Sequence, residues 1–176
     1  MNGLPYRPNV GAVLFNRAGL ILVARRAGTP NAEGAAGGWQ LPQGGLDAGE
    51  DPREAVLREL EEEVGTRNAT LLAEHPEWLR YDLPRELIGK ALGGKYRGQT
   101  QKWFALRFEG ADAEIRLDLD PHPEFDAWRW APLAELPSLA VPFKRAIYER
   151  LAVDFSRFAE PRTASPGSAS TPMSPP

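Results

Sequence analysis

An α+β fold, a three-layer sandwich with a mixed β-sheet between helices, is what this chain predicts, and three observations carry it. Short β-branched apolar runs recur along the chain, among them Val10 to Phe15, Leu20 to Ala24 and Thr100 to Phe108. Two helical patterns stand far apart, from Asp51 to Val64 and from Pro142 to Phe158. No internal repeat connects them, and strands interleaved with two separated helices suit an α+β sandwich.

In order, Val10 to Phe15 and Leu20 to Ala24 flank the turn Asn16–Gly19 and predict a hairpin. A Gly/Ala-rich loop, Gly28 to Gly38, leads to a short extended piece, Trp39 to Leu41, and then to a loop built around Gly44, Gly45 and Gly49. Asp51 caps the next helix, Pro52 suits its first position, Glu54 stands where a capping box puts a carboxylate, and Gly65 stops it. Thr70 to Ala73, Trp78 to Leu83, Thr100 to Phe108 and Asp126 to Trp130 read as further strands. In the last helix Phe143, Ile147, Leu151 and Phe155 recur every four residues and form its apolar face.

The 176 residues suffice for one domain with a real core, expected over residues 5–158. Residues 159–176 form a Pro/Ser-rich tail without apolar periodicity, expected to be disordered because it cannot offset its ordering entropy. Cysteine is absent, which excludes disulfides, thiolate metal sites and a cysteine nucleophile. That suits a cytoplasmic setting. No signal peptide or membrane-length apolar run is visible. A net charge of −3 argues against a general nucleic-acid coat and against DNA as partner, and leaves RNA contact to a local site such as a chain end.

The chemistry concentrates on the first helix. At 100° per residue, Glu59, Glu62 and Glu63 share one face beside an apolar stripe of Leu57, Leu60 and Val64. Three ionised carboxylates so close repel one another, and a hard dication relieves that. Arg58 stands next to them and can bridge to an acidic residue of the glycine loop. A solvated acidic helix is the bland alternative, and the spacing of glycines, arginine and glutamates together argues against it.

Gly44, five residues, Glu50, seven residues, then Arg58-Glu59-Leu60-Glu61-Glu62-Glu63-Val64-Gly65 resembles the Nudix box, which here spans residues 44–66. Thr66 departs from the pattern, standing where the family has an aliphatic residue. The segments Tyr6–Gly11, Ala24–Arg26, Trp39–Gly45, Trp78–Pro84, Gly98–Phe104 and Pro123–Trp130 extend the likeness to the bacterial RNA pyrophosphohydrolases, relatives of the dinucleoside polyphosphate hydrolases. The resemblance implies a Nudix α/β/α sandwich with a catalytic loop-helix. It also implies an enzyme that converts a 5′-tri- or diphosphate RNA end to a monophosphate and so promotes mRNA decay.

Carried over by position, the resemblance implies Mg²⁺ or another divalent cation such as Mn²⁺, held by Glu59, Glu62, Glu63 and Glu124. Glu63 or Glu62 would be the general base, with Arg58 completing the catalytic set. Arg26, Gln43, Gly44, Gly45, Tyr81, Val141, Phe143 and Lys144 would meet the substrate, Phe143 by stacking on a base. Read from the residues alone, Phe143 serves equally as core, Lys144 and Arg145 as a solvated face, and Gln40 and Gln43 as loop supports. Arg26, Lys95, Arg97 and Lys102 are candidate holders of the leaving polyphosphate. The partner is then an RNA 5′ end or a dinucleoside polyphosphate, with no membrane and the oligomeric state left open. A dinucleoside polyphosphate hydrolase and a nucleotide-binding sensor that does not cut are the rival readings.

Overall fold

The computed structural model describes residues 3–28 and 38–161. Its centre is an eight-stranded mixed sheet. The strands are β1 (Tyr6–Phe15), β2 (Ile21–Arg26), β3 (Trp39–Gln40), β4 (Gln43–Gly45), β5 (Ala69–Glu74), β6 (Leu79–Asp82), β7 (Gly98–Phe108) and β8 (Phe125–Ala131). The helices are α1 (Pro52–Val64), α2 (Leu136–Leu139) and α3 (Arg145–Asp154). The main path runs β3-β2-β1-β7-β5, with β4 on β1, β6 on β7 and β8 on β2. β1 and β7 pair in parallel from Tyr6 against Gly98 to Phe15 against Arg107, and the other pairings are antiparallel.

Period-two alternation sends β1 and β7 side chains to opposite faces, so each face carries its own core. Val13, Phe15, Trp103 and Ala105 pack with α2 and α3. Val10, Ala12, Leu14, Phe104 and Leu106 pack with α1. That is the expected three-layer sandwich. Among the described residues no helix is long and apolar enough to cross a membrane.

Several local expectations need correcting. The β1–β2 hairpin forms as expected but pairs only at Phe15 and Ile21, because β4 takes the rest of that edge of β1. Gln43–Gly45 is a strand rather than a loop. Asp51 caps α1 by accepting from Arg53 N at 2.9 Å, and Gly65 closes it in the left-handed region at φ 79°. No capping box forms there. Glu54 faces Arg67 at 3.5 Å instead. The apolar stripe of α1 is Ala55, Val56, Leu60 and Val64, with Leu57 only half-buried. Thr66 hydroxyl accepts from Asn68 N at 3.0 Å and steers the chain out of the box.

The last helix is shorter than its periodicity suggested. A 3₁₀ turn at Pro142–Lys144 precedes α3, and a second, Ser156–Ala159, follows it. Ile147, Leu151 and Phe155 are buried as the pattern required. Residues 159–161 of the expected tail are described, and a Cβ on Gly19 would collide with the Ala159 carbonyl. Residues 162–176, and 29–37 of the Gly/Ala-rich loop, lie outside the described residues.

Candidate active site

Arg58 organises the loop in front of α1. Its Nε and Nη2 donate to the two Glu50 carboxylate oxygens at 2.8 and 2.9 Å. Nη2 also reaches the Gly45 carbonyl at 3.0 Å, and Nη1 reaches Glu59 at 2.8 Å. Hydrogen bonds from Arg58 and from the Asp47 backbone hold Glu50 at about 2. This fork ties α1, β4 and the intervening turn together.

β4 is fastened from the other side as well. Gln43 N donates to Glu63 at 3.1 Å. A Cβ on Gly44 would collide with the Glu59 carboxylate, so only glycine lets strand and helix approach this closely. Glu59 and Glu63 are buried, at 9% and 6% exposure, and their carboxyls face a cleft of about 320 Å³. Glu124 lines the same cleft from the chain entering β8, where Ala27 N donates to its carbonyl at 2.9 Å. Burial first, then the Glu124 carboxyl, push Glu63 well above the ordinary carboxylate range. Burial also raises Glu59, with Arg58 opposing it.

The structure thus brings Glu59, Glu63 and Glu124 together and leaves Glu62 outside that lining. The Glu62 side chain is 52% exposed and lies 3.4 Å from Arg58 Nη1. Arg26, Gln40, Gln43, Gly44, Gly45, Tyr81 and Lys144 share the cleft. Burial and then Arg26 lower Lys144 to about 8. Its ammonium lies 5.2 Å above the Tyr81 ring, so Lys144 belongs to the cleft and not to a solvated face. Burial raises the Tyr81 hydroxyl to about 12, so it stays protonated.

A second hollow of about 340 Å³ adjoins the first and shares Arg26, Gln40 and Lys144 with it. It is lined by Trp39, Val141, Phe143 and Tyr148 among others. Phe143 is half-buried, with its ring centroid 5.5 Å from that of Tyr81. It therefore packs on the core and also presents a face to the hollow.

Two candidate cations are occupied elsewhere. Arg97 pairs with Asp82 at 2.9 Å and lies over Tyr6, while Lys102 lies 3.8 Å from Glu74 and over Trp78. Neither they nor Lys95 line the cleft. Sequence reasoning missed Arg7, Asn9 and Gln99, which do. The signal was present as polar residues at alternate positions, Arg7 and Asn9 in β1, Gln99 and Gln101 in β7.

A glycine loop and helix that jointly bury two glutamates beside a third, at the spacing of residues 44–66, decide the matter. The NUDIX domain model matches residues 5–151. The chain belongs to the Nudix family. Within that family it is 61% identical over 160 residues to the RNA pyrophosphohydrolase of Gluconacetobacter diazotrophicus, covering 90% of this chain and 96% of that protein. It is 63% identical over 157 residues to the RNA pyrophosphohydrolase of Acidiphilium cryptum, covering 89% and 94%. Among solved structures, an E. coli dihydroneopterin triphosphate pyrophosphohydrolase superposes with a TM-score of 0.62 at 20% identity, covering 85% of this chain and 99% of that one. A C. elegans Ap4A hydrolase gives 0.59 at 21%, covering 86% and 98%. These two likenesses speak for the fold alone.

The Nudix family implies a divalent cation. Among the described residues no three acidic or histidine side chains form a ready-made cage. The donors nevertheless fit a hard dication. They are carboxylate oxygens, and Glu63 and Glu124 are close enough to hydrogen-bond to each other, a like-charge arrangement a cation would relieve.

Proposed function

We propose that this Nudix protein is an RNA pyrophosphohydrolase that converts a 5′-tri- or diphosphorylated RNA end to a 5′-monophosphate and so promotes mRNA decay. One observation carries the reading. The carboxylate cleft and the apolar hollow are contiguous through Arg26, Gln40 and Lys144. A polyphosphate in the first thereby sets the 5′-terminal base into the second. The curated relatives at 53–63% identity bear the same name.

Glu59, Glu63 and Glu124 are the proposed holders of Mg²⁺, with Mn²⁺ as a substitute, and Glu62, exposed beside Arg58, is the proposed further ligand. When bound, the cation neutralises phosphate charge and activates water for in-line attack. Glu63, buried within the cleft, accepts the proton of the attacking water in preference to the exposed Glu62. Arg7 and Lys144 hold non-bridging phosphate oxygens. A phosphoanhydride P–O bond breaks and pyrophosphate or phosphate leaves. Val141 and Phe143 receive the base, with Phe143 stacking on it and Arg26 beside it.

A dinucleoside polyphosphate offers the same polyphosphate and base, so the two substrates must be compared directly. With Mg²⁺ present, kcat/KM should be at least tenfold higher on triphosphorylated RNA than on diadenosine tetraphosphate. The reverse order would make the protein a dinucleoside polyphosphate hydrolase. Binding without phosphate release from either would make it a sensor.

A further inference from the structure

We propose that Trp103 and Gln101 are positioning residues that aim the amide N–H groups of Gln43 and Gln99 into the cleft as donors for non-bridging phosphate oxygens. Trp103 is fully buried, and its indole N–H donates to Gln101 Oε1 at 3.0 Å. An indole nitrogen can only donate, so the atom of Gln101 that faces it must be the oxygen. The Gln101 nitrogen is then turned the other way. It donates to Gln43 Oε1 and to Gln99 Oε1, each at 2.9 Å, and lies 3.4 Å from Asn9 Oδ1. Its two hydrogens go to the two nearer oxygens, so the amides of Gln43 and Gln99 must offer their oxygens to that nitrogen. Each therefore points its NH₂ away from it.

The NH₂ groups of Gln43 and Gln99 open onto the cleft. Both residues line it. Among the described residues these nitrogens have no protein acceptor and no buried side-chain nitrogen or oxygen lacks a partner, so these groups are not sealed in the core. The β-sheet register enforces the arrangement. In the parallel β1–β7 pairing Asn9 lies opposite Gln101 and Gly11 opposite Trp103. Gly11 also faces Gln43 across β4. A Cβ on Gly11 would collide with the Trp103 ring, so that glycine gives the indole its place. A single donor-only group in the core thus sets the polarity of the amides lining the cleft. Their N–H groups meet phosphate oxygens, while the carboxylates of Glu59, Glu63 and Glu124 are left to the cation.

This rests on the reading of the cleft as a polyphosphate site, and the test separates the two. Binding of inorganic tripolyphosphate is titrated in chelator, so that protein donors alone are read, beside steady-state turnover of triphosphorylated RNA with Mg²⁺. In Gln101→Glu a carboxylate still accepts from Trp103 but cannot donate. The Gln43 and Gln99 amides should turn over and present oxygens to the cleft. Hydrogen bonds to charged groups are each worth roughly tenfold to a hundredfold, so the tripolyphosphate Kd should rise at least tenfold. KM should rise in parallel with kcat within about threefold, a split that loss of packing would not produce. Should Gln101→Glu not fold, Gln101→Met and Trp103→Phe replace it, with Kd expected to rise about two- to fivefold as the bias on amide orientation is lost. A folded variant that binds tripolyphosphate as the native protein does would overturn the relay. A native protein that neither binds tripolyphosphate nor cleaves triphosphorylated RNA would instead overturn the functional reading.

Discussion

Replacing Arg58 with Met should loosen the whole catalytic loop. The change keeps most of the aliphatic stem and removes the guanidinium, which makes four bonds of 2.8–3.0 Å to Glu50, Glu59 and the Gly45 carbonyl. The Arg58 side chain is 32% exposed, so solvent screens these bonds and each counts for less than a buried one. At about 0.5–1 kcal/mol apiece the loss sums to about 2–4 kcal/mol. For a domain of this size that corresponds to a fall in melting temperature of about 4–16 °C. Glu50 is held below its ordinary range, so its share of the stability is present above the usual carboxylate pKa and is lost as pH falls toward about 2. The melting gap between native protein and variant should therefore narrow on acidification. Displaced by even about 1 Å, Glu59 and β4 would cost on the order of a hundredfold in turnover. Thermal melts across pH and phosphate-release kinetics test both parts. A variant melting within about 2 °C of the native protein and turning over within about threefold would refute the clamp.

Four further changes probe separate parts of the site. Glu63→Gln should lower turnover at least about thirtyfold without lowering the melting temperature, because Gln still accepts from Gln43 N and relieves the repulsion with Glu124. Glu61→Gln, exposed on another face of α1, should stay within about threefold, and equal losses in the two would discount Glu63. Phe143→Ala should reduce kcat/KM on triphosphorylated RNA at least about fivefold more than on a short nucleotide; equal losses with a lowered melting point would mark it as core alone. Lys144, held at about 8, loses its charge as pH rises through that value, so kcat/KM should decline above it. Lys144→Arg stays charged and should flatten that decline, and an unchanged profile would exclude Lys144 from phosphate binding.

What could be read in advance follows from how local each cause is. The α1 cap at Asp51, its stop at Gly65 and the alternation along β7 are set by near neighbours in the chain. They appear in the structure close to where the residues put them. The β1–β2 hairpin forms at its predicted turn but stays short, because β4, remote from that turn in the chain, takes the same edge of β1 at Asn9 to Gly11. α2 went unseen because it is four residues long, too short for a helical period to show. Pro142 and the end of α3 at Asp154 cut a continuous four-residue period into a turn, a helix and a turn, although the apolar face survives the cuts.

The two halves of the site divide along the same line. Glu59, Glu63, Arg58 and Gly44 lie within one short stretch, where spacing alone announces carboxylates on a helix behind a glycine turn. Arg7, Asn9, Gln99 and Gln101 become neighbours only when β1 and β7 pair in one register, and a slip of one residue would turn every one of them to the other face. The apolar residues on those strands fix that register, since Val13 and Phe15 must enter one core while Ala12 and Leu14 enter the other. The polar positions nearer the start of each strand are thereby carried to the cleft face. A polar residue recurring at every second position in a strand that is otherwise core is thus informative in its own right. Burial would exclude such residues unless they satisfied one another, and Asn9, Gln99 and Gln101 do so through Gln101. What the amide network then leaves over, N–H groups with no protein acceptor among the described residues, is the chemistry a phosphate requires.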